Sequence, residues 1–543
     1  MTPIHRRTAA LLAGFLFGSP LALAAPSPEE RNLTELRLTV VNLLQGLVER
    51  GVLSREQAEG MVRDAQERAS ADATAATALA EAEKDAVRVP YVPEIVRDEI
   101  RKQVVADLTG EVKREVVEQA QSDGWGVPGA LPEWVRRMRW YGDLRVRSET
   151  DMYAEGNVRN AYLNFLTVND RGGIGRAGLD ALANTTEDRQ RIRARLRFGF
   201  ETELGYGWTM GAGLTTGDQR DPTSVTQNLG QYGGRYQMGL HQAWMRWGGA
   251  SDDVRHSVSV IGGRIPNPWS TATEMVWDND VTFDGVATQY RLAMSRAEPY
   301  TRFAYLTLGG FQIQEFELSK RDKWLVGAQT GVDWKFDRGH RLRFAASYYD
   351  YENIVGKRNE LDSNVLDFTA PRFLTRGNTL FDIRNDVDTS TNLFALASDY
   401  SLVDVMSTFE WNLYGTHRAA LTVEYVRNLG YDEDAVAARI GAPLEARVEG
   451  YQGEIAFGTS SLGRRGGWRA ALGYRYIERD AVLDAFSDSN LRQGGTDSQG
   501  FYFVGDYGLT DRVSARLRYL SGNEIDGPPL GIDVLQIDLN ARF

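Results

Sequence analysis

Between Arg191 and Glu201 the chain alternates in steps of two. Ile192, Ala194, Leu196, Phe198 and Phe200 fall on one face; Arg191, Arg193, Arg195 and Arg197 fall on the other. A helix would spread these arginines around its circumference, whereas an extended strand sets all four on one side. Four guanidiniums facing a dry core would be prohibitive, so the arginine side must meet water. The same alternation returns over 341–348, 421–425, 468–476, 512–519 and 535–543. Segments of about ten residues, apolar on one face and polar on the other, predict a transmembrane β-barrel.

The connections alternate too. Short ones fall at Gly205–Gly207, Gly248–Asp253, Ser295–Pro299, Asp337–His340, Gly415–His417, Ser460–Gly467 and Leu509–Asp511. Long ones lie near 150–188, 217–237, 265–282, 317–323, 352–404, 429–447, 480–499 and 521–532. This spacing predicts an all-β barrel of about 16 antiparallel strands, with short periplasmic turns and long outer loops. The range is about 14–18, because 352–404 has room for a hairpin around the strand-like Leu393–Ala397. A soluble periplasmic all-β protein is the other reading. It would turn the apolar faces inward, and no blade-like repeat supports it.

Residues 1–137 follow a different pattern. Arg6 and Arg7, an apolar run Leu11–Phe17 and Ala22-Leu23-Ala24 read as a signal peptide over 1–24. Residues 25–122 are predicted helical. Leu33, Leu36, Val40, Leu43, Leu44, Leu47 and Val48 form one stripe, and Ile95, Ile100, Val104, Leu108, Val112 and Val116 another. This periplasmic segment either packs on itself as a hairpin or zips between subunits as a coiled coil. Residues 123–137 read as a Gly/Pro linker, and 138–543 as the barrel.

Composition narrows the classes. A net charge of −12 argues against a nucleic-acid binder. The absence of cysteine excludes thiol chemistry and fits an oxidising compartment. Mean hydropathy is −0.39, so no bundle of membrane helices is expected. His241, His256, His340 and His417 sit in no nucleophile or metal motif, and no enzyme activity, cofactor or metal is expected. The Asp-rich stretch Asp350–Asp362 lacks EF-hand spacing.

A strand ending in the terminal Phe543, with apolar residues at alternate positions before it, resembles the assembly signal of Gram-negative outer-membrane proteins. The chain as a whole resembles the bacterial "putative porin" family. The matching pieces are Leu43–Leu53, Gly263-Arg264-Ile265-Pro266-Asn267-Pro268, Trp277-Asp278-Asn279-Asp280 and Phe283-Asp284-Gly285. That resemblance implies passive diffusion through the outer membrane and names no solute.

A barrel this size leaves an aqueous channel. Arg145 and Arg147, the four arginines 191–197, and Arg516, Arg518 and Arg542 would then form one basic wall favouring anions. The resemblance to porins implies that the third long loop narrows the pore, setting Glu274, Asp278 and Asp280 against that wall. Expected partners are outer-membrane lipid, the barrel-assembly machinery and two further copies in a homotrimer, with peptidoglycan or a periplasmic protein on the helices. A structural tether acting through those helices is the alternative function.

Overall fold

The computed structural model describes residues 133–543 except 251–254, 296–300, 318, 337–338, 389 and 460, together with 54–56, 59–60 and 63–64. The predicted signal peptide, most of the helical segment and most of the linker lie outside the described residues. Sixteen antiparallel strands close into one barrel. They are β1 Arg139–Tyr153, β2 Arg189–Gly205, β3 Trp208–Thr215, β4 Gly239–Ala250, β5 His256–Pro266, β6 Thr282–Ala293, β7 Arg302–Gln314, β8 Lys323–Lys335, β9 Arg341–Glu352, β10 Ser401–Asn412, β11 His417–Asn428, β12 Glu449–Thr459, β13 Trp468–Ile477, β14 Ser498–Gly508, β15 Val513–Glu524 and β16 Gly531–Arg542.

The alternation in the sequence is the alternation of the wall. Leu144, Val146, Ile192, Phe198, Leu517 and Leu539 are exposed on the outside, where lipid replaces water. Trp140, Trp208, Trp247, Trp468, Tyr507 and Phe543 are exposed at the short-turn ends of their strands, as in an interfacial aromatic girdle.

Eight long loops lie on the opposite rim: L1 154–188, L2 216–238, L3 267–281, L4 315–322, L5 353–400, L6 429–448, L7 478–497 and L8 525–530. The long gap 352–404 does hold a hairpin, Leu380–Asp382 with Phe394–Leu396, but its ladder is separate from the barrel sheet. Its side chains Phe381, Ile383, Leu393, Ala395 and Ala397 join Val436 of L6 in a small core of their own. The loops therefore fold and do not trail into solvent.

The barrel closes where β1 meets β16, with Arg147 opposite Asp538 and Asp143 opposite Arg542. Phe543 caps the seam. Its backbone N–H donates to the Gly142 carbonyl at 3.1 Å, and the Gly142 N–H donates to the Phe543 carbonyl at 3.1 Å. A Cβ on Gly142 would stand 2.4 Å from the Phe543 ring and 2.8 Å from the Arg197 carbonyl. Gly142→Val is therefore expected to displace the terminal ring and destabilise the seam by roughly 1–3 kcal/mol. Heat-dependent gel mobility of the folded barrel should show a lowered transition. An unchanged transition would mean that the ring can settle elsewhere without loss.

Candidate functional site

Arg145 and Arg147 on β1, Arg193, Arg195 and Arg197 on β2, and Arg516, Arg518 and Arg542 on β15 and β16 line a polar cavity of about 450 Å³ with Glu274, Asp278 and Asp280 of L3. Arg191 stands one step further along β2, paired with Glu149 and Asp151. The residues singled out from the sequence thus meet in one region. The wall they form is not purely basic, however, as the sequence reading had it.

Register explains the difference. On β1 the inward positions run Asp143, Arg145, Arg147, Glu149 and Asp151, so carboxylates share the arginine face. Arg145 lies directly opposite Arg195, and Arg147 opposite Arg193. Like charges in register repel. The side chains turn to carboxylates instead: Arg195 to Asp143 at 2.7 Å, Arg197 to Asp143 at 2.6 Å, Arg193 to Glu149 at 3.1 Å, and Arg147 to Asp538 at 2.7 Å. Arg516 reaches Asp506 on β14 at 2.6 Å. Arg145 differs. It has no ion pair among the described residues; it donates to the Thr226 hydroxyl of L2, and its Nε has no hydrogen-bond partner. The period-two spacing of Asp143, Glu149 and Asp151 was available in the sequence as a signal for the interleaved acids.

L3 bends into the lumen because its apolar side chains find a niche there. Trp269, Met275, Val276 and Trp277 are buried against Phe283, Phe311, Leu325 and Tyr349 of the inner wall. Gly327 of β8 leaves the gap that the Trp269 indole fills, since a Cβ there would lie 2.8 Å from the ring. With that face anchored, the polar edge of L3 points across the lumen. Asp280 stands 3.4 Å from both Arg195 and Arg197, and Glu274 stands 3.3 Å from Arg518.

Asp278 takes a different role. It is buried, and its Oδ2 accepts from the N–H and hydroxyl of Ser489 in L7 at 3.2 and 3.1 Å. Backbone bonds run alongside, from Asp278 N–H to the Phe486 carbonyl at 2.8 Å and from Asp488 N–H to the Glu274 carbonyl at 2.9 Å. L2 joins the same clasp: the Thr223 carbonyl, 3.1 Å from the Ser489 hydroxyl, is an alternative acceptor for its one proton, and the Val225 N–H donates to Asp280 at 3.5 Å. No sequence signal marks Ser489 or Asp488, because only tertiary packing brings L7 to L3.

Glu274, Asp278 and Asp488 form a tight carboxylate group. Burial would raise Asp488, but the guanidiniums of Arg475 and Arg518 and the Leu491 N–H outweigh it and hold the carboxyl well below its usual range. Burial, with Glu274, Asp280 and Asp488 adding to it, pushes Asp278 well up, so Asp278 carries the proton of the group. Arg475 and Arg518 supply the countercharge, which makes this a clasp between loops. A raised native pKa gives stability that is full below the unfolded value near 3.9 and is lost as pH climbs through the native value. Single-channel records should therefore show more loop-driven current noise as pH rises, and Asp278→Asn should flatten that dependence. Identical pH profiles for the two proteins would remove Asp278 as the titrating group.

Residues 37–543 match the family described as "Putative porin". Among curated proteins the sequence finds no match. Among solved structures, OprB of Pseudomonas putida aligns at 11% identity and a TM-score of 0.42, over 77% of this chain and 97% of that one. The outer membrane channel DcaP of Acinetobacter baumannii aligns at 11% identity and 0.37, over 75% and 97%. The trimer form of OmpT, an outer membrane protein of Vibrio cholerae, aligns at 10% identity and 0.38, over 75% and 99%.

Proposed function

Because this chain belongs to the putative porin family and is an outer-membrane β-barrel channel, we propose that it passes small hydrophilic solutes by passive diffusion, with a modest preference for anions set chiefly by Arg145. The observation that supports the preference is the charge count along the eyelet. Arg147, Arg193, Arg195, Arg197, Arg516 and Arg518 each have a carboxylate within reach, so their fields are short-ranged dipoles. Arg145 and Arg542 have no ion pair among the described residues, and Arg145 is flanked by further cations and faces a cavity wide enough for water. A free cation at a constriction lowers the entry barrier for anions.

Across the lumen, Glu274 and Asp280 set a transverse field that orients polar solutes. The arrangement is that of an eyelet, with L3 as its acidic side and β1, β2, β15 and β16 as its basic side. Homotrimers are the assembly we assign; the stripe predicted over 95–116 as their contact lies outside the described residues, and sizing in detergent tests the assembly.

Stepwise conductance of the purified chain in a planar bilayer tests the channel. In a KCl gradient the reversal potential should lie on the anion side, and Arg145→Gln should lower the anion-to-cation permeability ratio about four- to sixteenfold, as one charge at about 5 Å in water shifts anion and cation by about 0.8 kcal/mol in opposite senses before salt screening. Arg193→Gln with Arg195→Gln should move it further, by leaving Glu149 and Asp143 less compensated. A reversal potential that stays put in Arg145→Gln would sink the selectivity claim and leave the channel intact.

A further inference from the structure

On the long-loop side of the clasp the lumen changes character. A second cavity, of about 670 Å³, lies among L1, L2, L5, L7 and the adjoining ends of β5–β8. That is the size of a small-molecule site. Phe311, Ile313, Phe373, Leu374 and Phe486 line it. Phe311 and Leu374 belong to the buried core beneath, whereas Ile313, Phe373 and Phe486 are only partly buried against that core. The cavity therefore presents apolar surface inside a lumen that elsewhere is lined by charges. A hydrated ion gains nothing from such a surface, and leaving it wet is unfavourable.

The charges around it do not cancel. Arg220 is paired with Asp170 at 2.7 Å and Arg264 with Asp284 at 2.7 Å. Lys323 is buried, its Nζ donating to the carbonyls of Thr369 and Ala370 and to Gln314 at 3.0–3.2 Å. Asp484 also lines the cavity, and burial pushes its carboxyl up to about 7, so at neutral pH it is only partly charged. Arg372, next to Phe373, is exposed and has no ion pair among the described residues. The free charge beside the apolar surface is thus a guanidinium.

We infer that this vestibule binds small amphipathic carboxylates, with the apolar body on Phe373, Phe486 and Ile313 and the carboxylate on Arg372. The inference rests on the channel reading and adds a substrate class to it. Such a solute would meet two complementary stations in turn: an apolar surface with a free guanidinium, then Arg145 at the eyelet. Inorganic anions could use both guanidiniums but not the apolar surface, so that surface separates the two kinds of anion where the eyelet does not.

The test is a homologous series at constant charge. Straight-chain monocarboxylates from acetate to hexanoate are added to single channels of the full chain in KCl, and the dwell time of current block is read. Block should lengthen about two- to fourfold per added methylene as each is buried. Phe373→Gln should flatten that slope, and Arg372→Gln should shorten every dwell by a similar factor while keeping the slope. A flat series through a conducting wild-type channel overturns this inference and spares the channel reading, and a slope left unchanged by Phe373→Gln overturns it as well. Absence of stepwise KCl conductance overturns the channel reading, and this one with it. Should Phe373→Gln fail to fold, the wild-type series and Arg372→Gln decide.

Discussion

Trp277→Ala should release L3 from the barrel wall. Trp277 is among the largest fully buried side chains, 1% exposed. Its ring meets Phe283 at 5.0 Å and 70°, Tyr349 at 5.2 Å and 89°, and Phe486 of L7 at 5.8 Å. These are the offset and edge-on arrangements that aromatic quadrupoles favour. Removing a buried indole and leaving its cavity costs about 3–5 kcal/mol. The remaining ties of L3 to L7 are a few hydrogen bonds, each with a net contribution of about 1 kcal/mol. The loop would then sample positions off the wall. Single-channel conductance should become larger and noisier, while the anion preference strengthens as Asp280 moves away and leaves Arg195 and Arg197 less compensated. Trp277→Phe should recover most of the quiet state. Unaltered noise in Trp277→Ala would show that the clasp with L7 holds L3 without the wall.

Arg147→Met acts at the seam. Arg147 is 2% exposed and forks onto Asp538, Nε to Oδ1 at 2.7 Å and Nη2 to Oδ2 at 2.9 Å. Removing the guanidinium strands a buried carboxylate between β1 and β16, because Asp538 has no other ion pair within reach among the described residues. Breaking one half of such a pair costs about 3–5 kcal/mol. Arg147→Met should lower the heat-denaturation midpoint of the barrel and the yield of folded protein. The double change Arg147→Met with Asp538→Leu should recover much of both, since replacing a whole buried pair by apolar groups is often near neutral. If single and double variants melt alike, the uncompensated charge is not what the single variant suffers from. Glu149 keeps Arg191 and Arg193 in either case, so the comparison isolates Asp538.

How far the sequence reaches is visible in these two sites. The strands were legible because lipid and water impose a period of two on every residue of the wall. The loops alternated visibly because hairpin turns are short and outer loops are free to grow. The inward arginines were legible on the same ground. The carboxylates between them, Asp143, Glu149 and Asp151, share the same period of two and are equally legible in position. What lay beyond the sequence is the inside of the lumen. Phe283, Phe311 and Leu325 point inward, where the barrel pattern calls for polar residues, because L3, L5 and L7 cover them. Which loop covers which strand is decided by packing between segments far apart in the chain. For the same reason Ser489 and Asp488 had no mark in the sequence, and Asp278, expected at the eyelet, serves the clasp as well.

The seam has a consequence in time as well as in energy. Every other neighbouring pair of barrel strands is adjacent in sequence, joined by one short turn or one outer loop. Arg147 and Asp538 are 391 residues apart. Joining chain positions so distant costs about 5 kcal/mol of conformational entropy, more than any single hairpin in the barrel. Barrel formation thus reduces to fifteen pairings of strands consecutive in sequence and one far more distant encounter. The buried Arg147–Asp538 fork and the Phe543 ring on Gly142 gain nothing until that encounter succeeds. Their stabilisation falls after the rate-limiting step, so it acts chiefly on how slowly the barrel reopens.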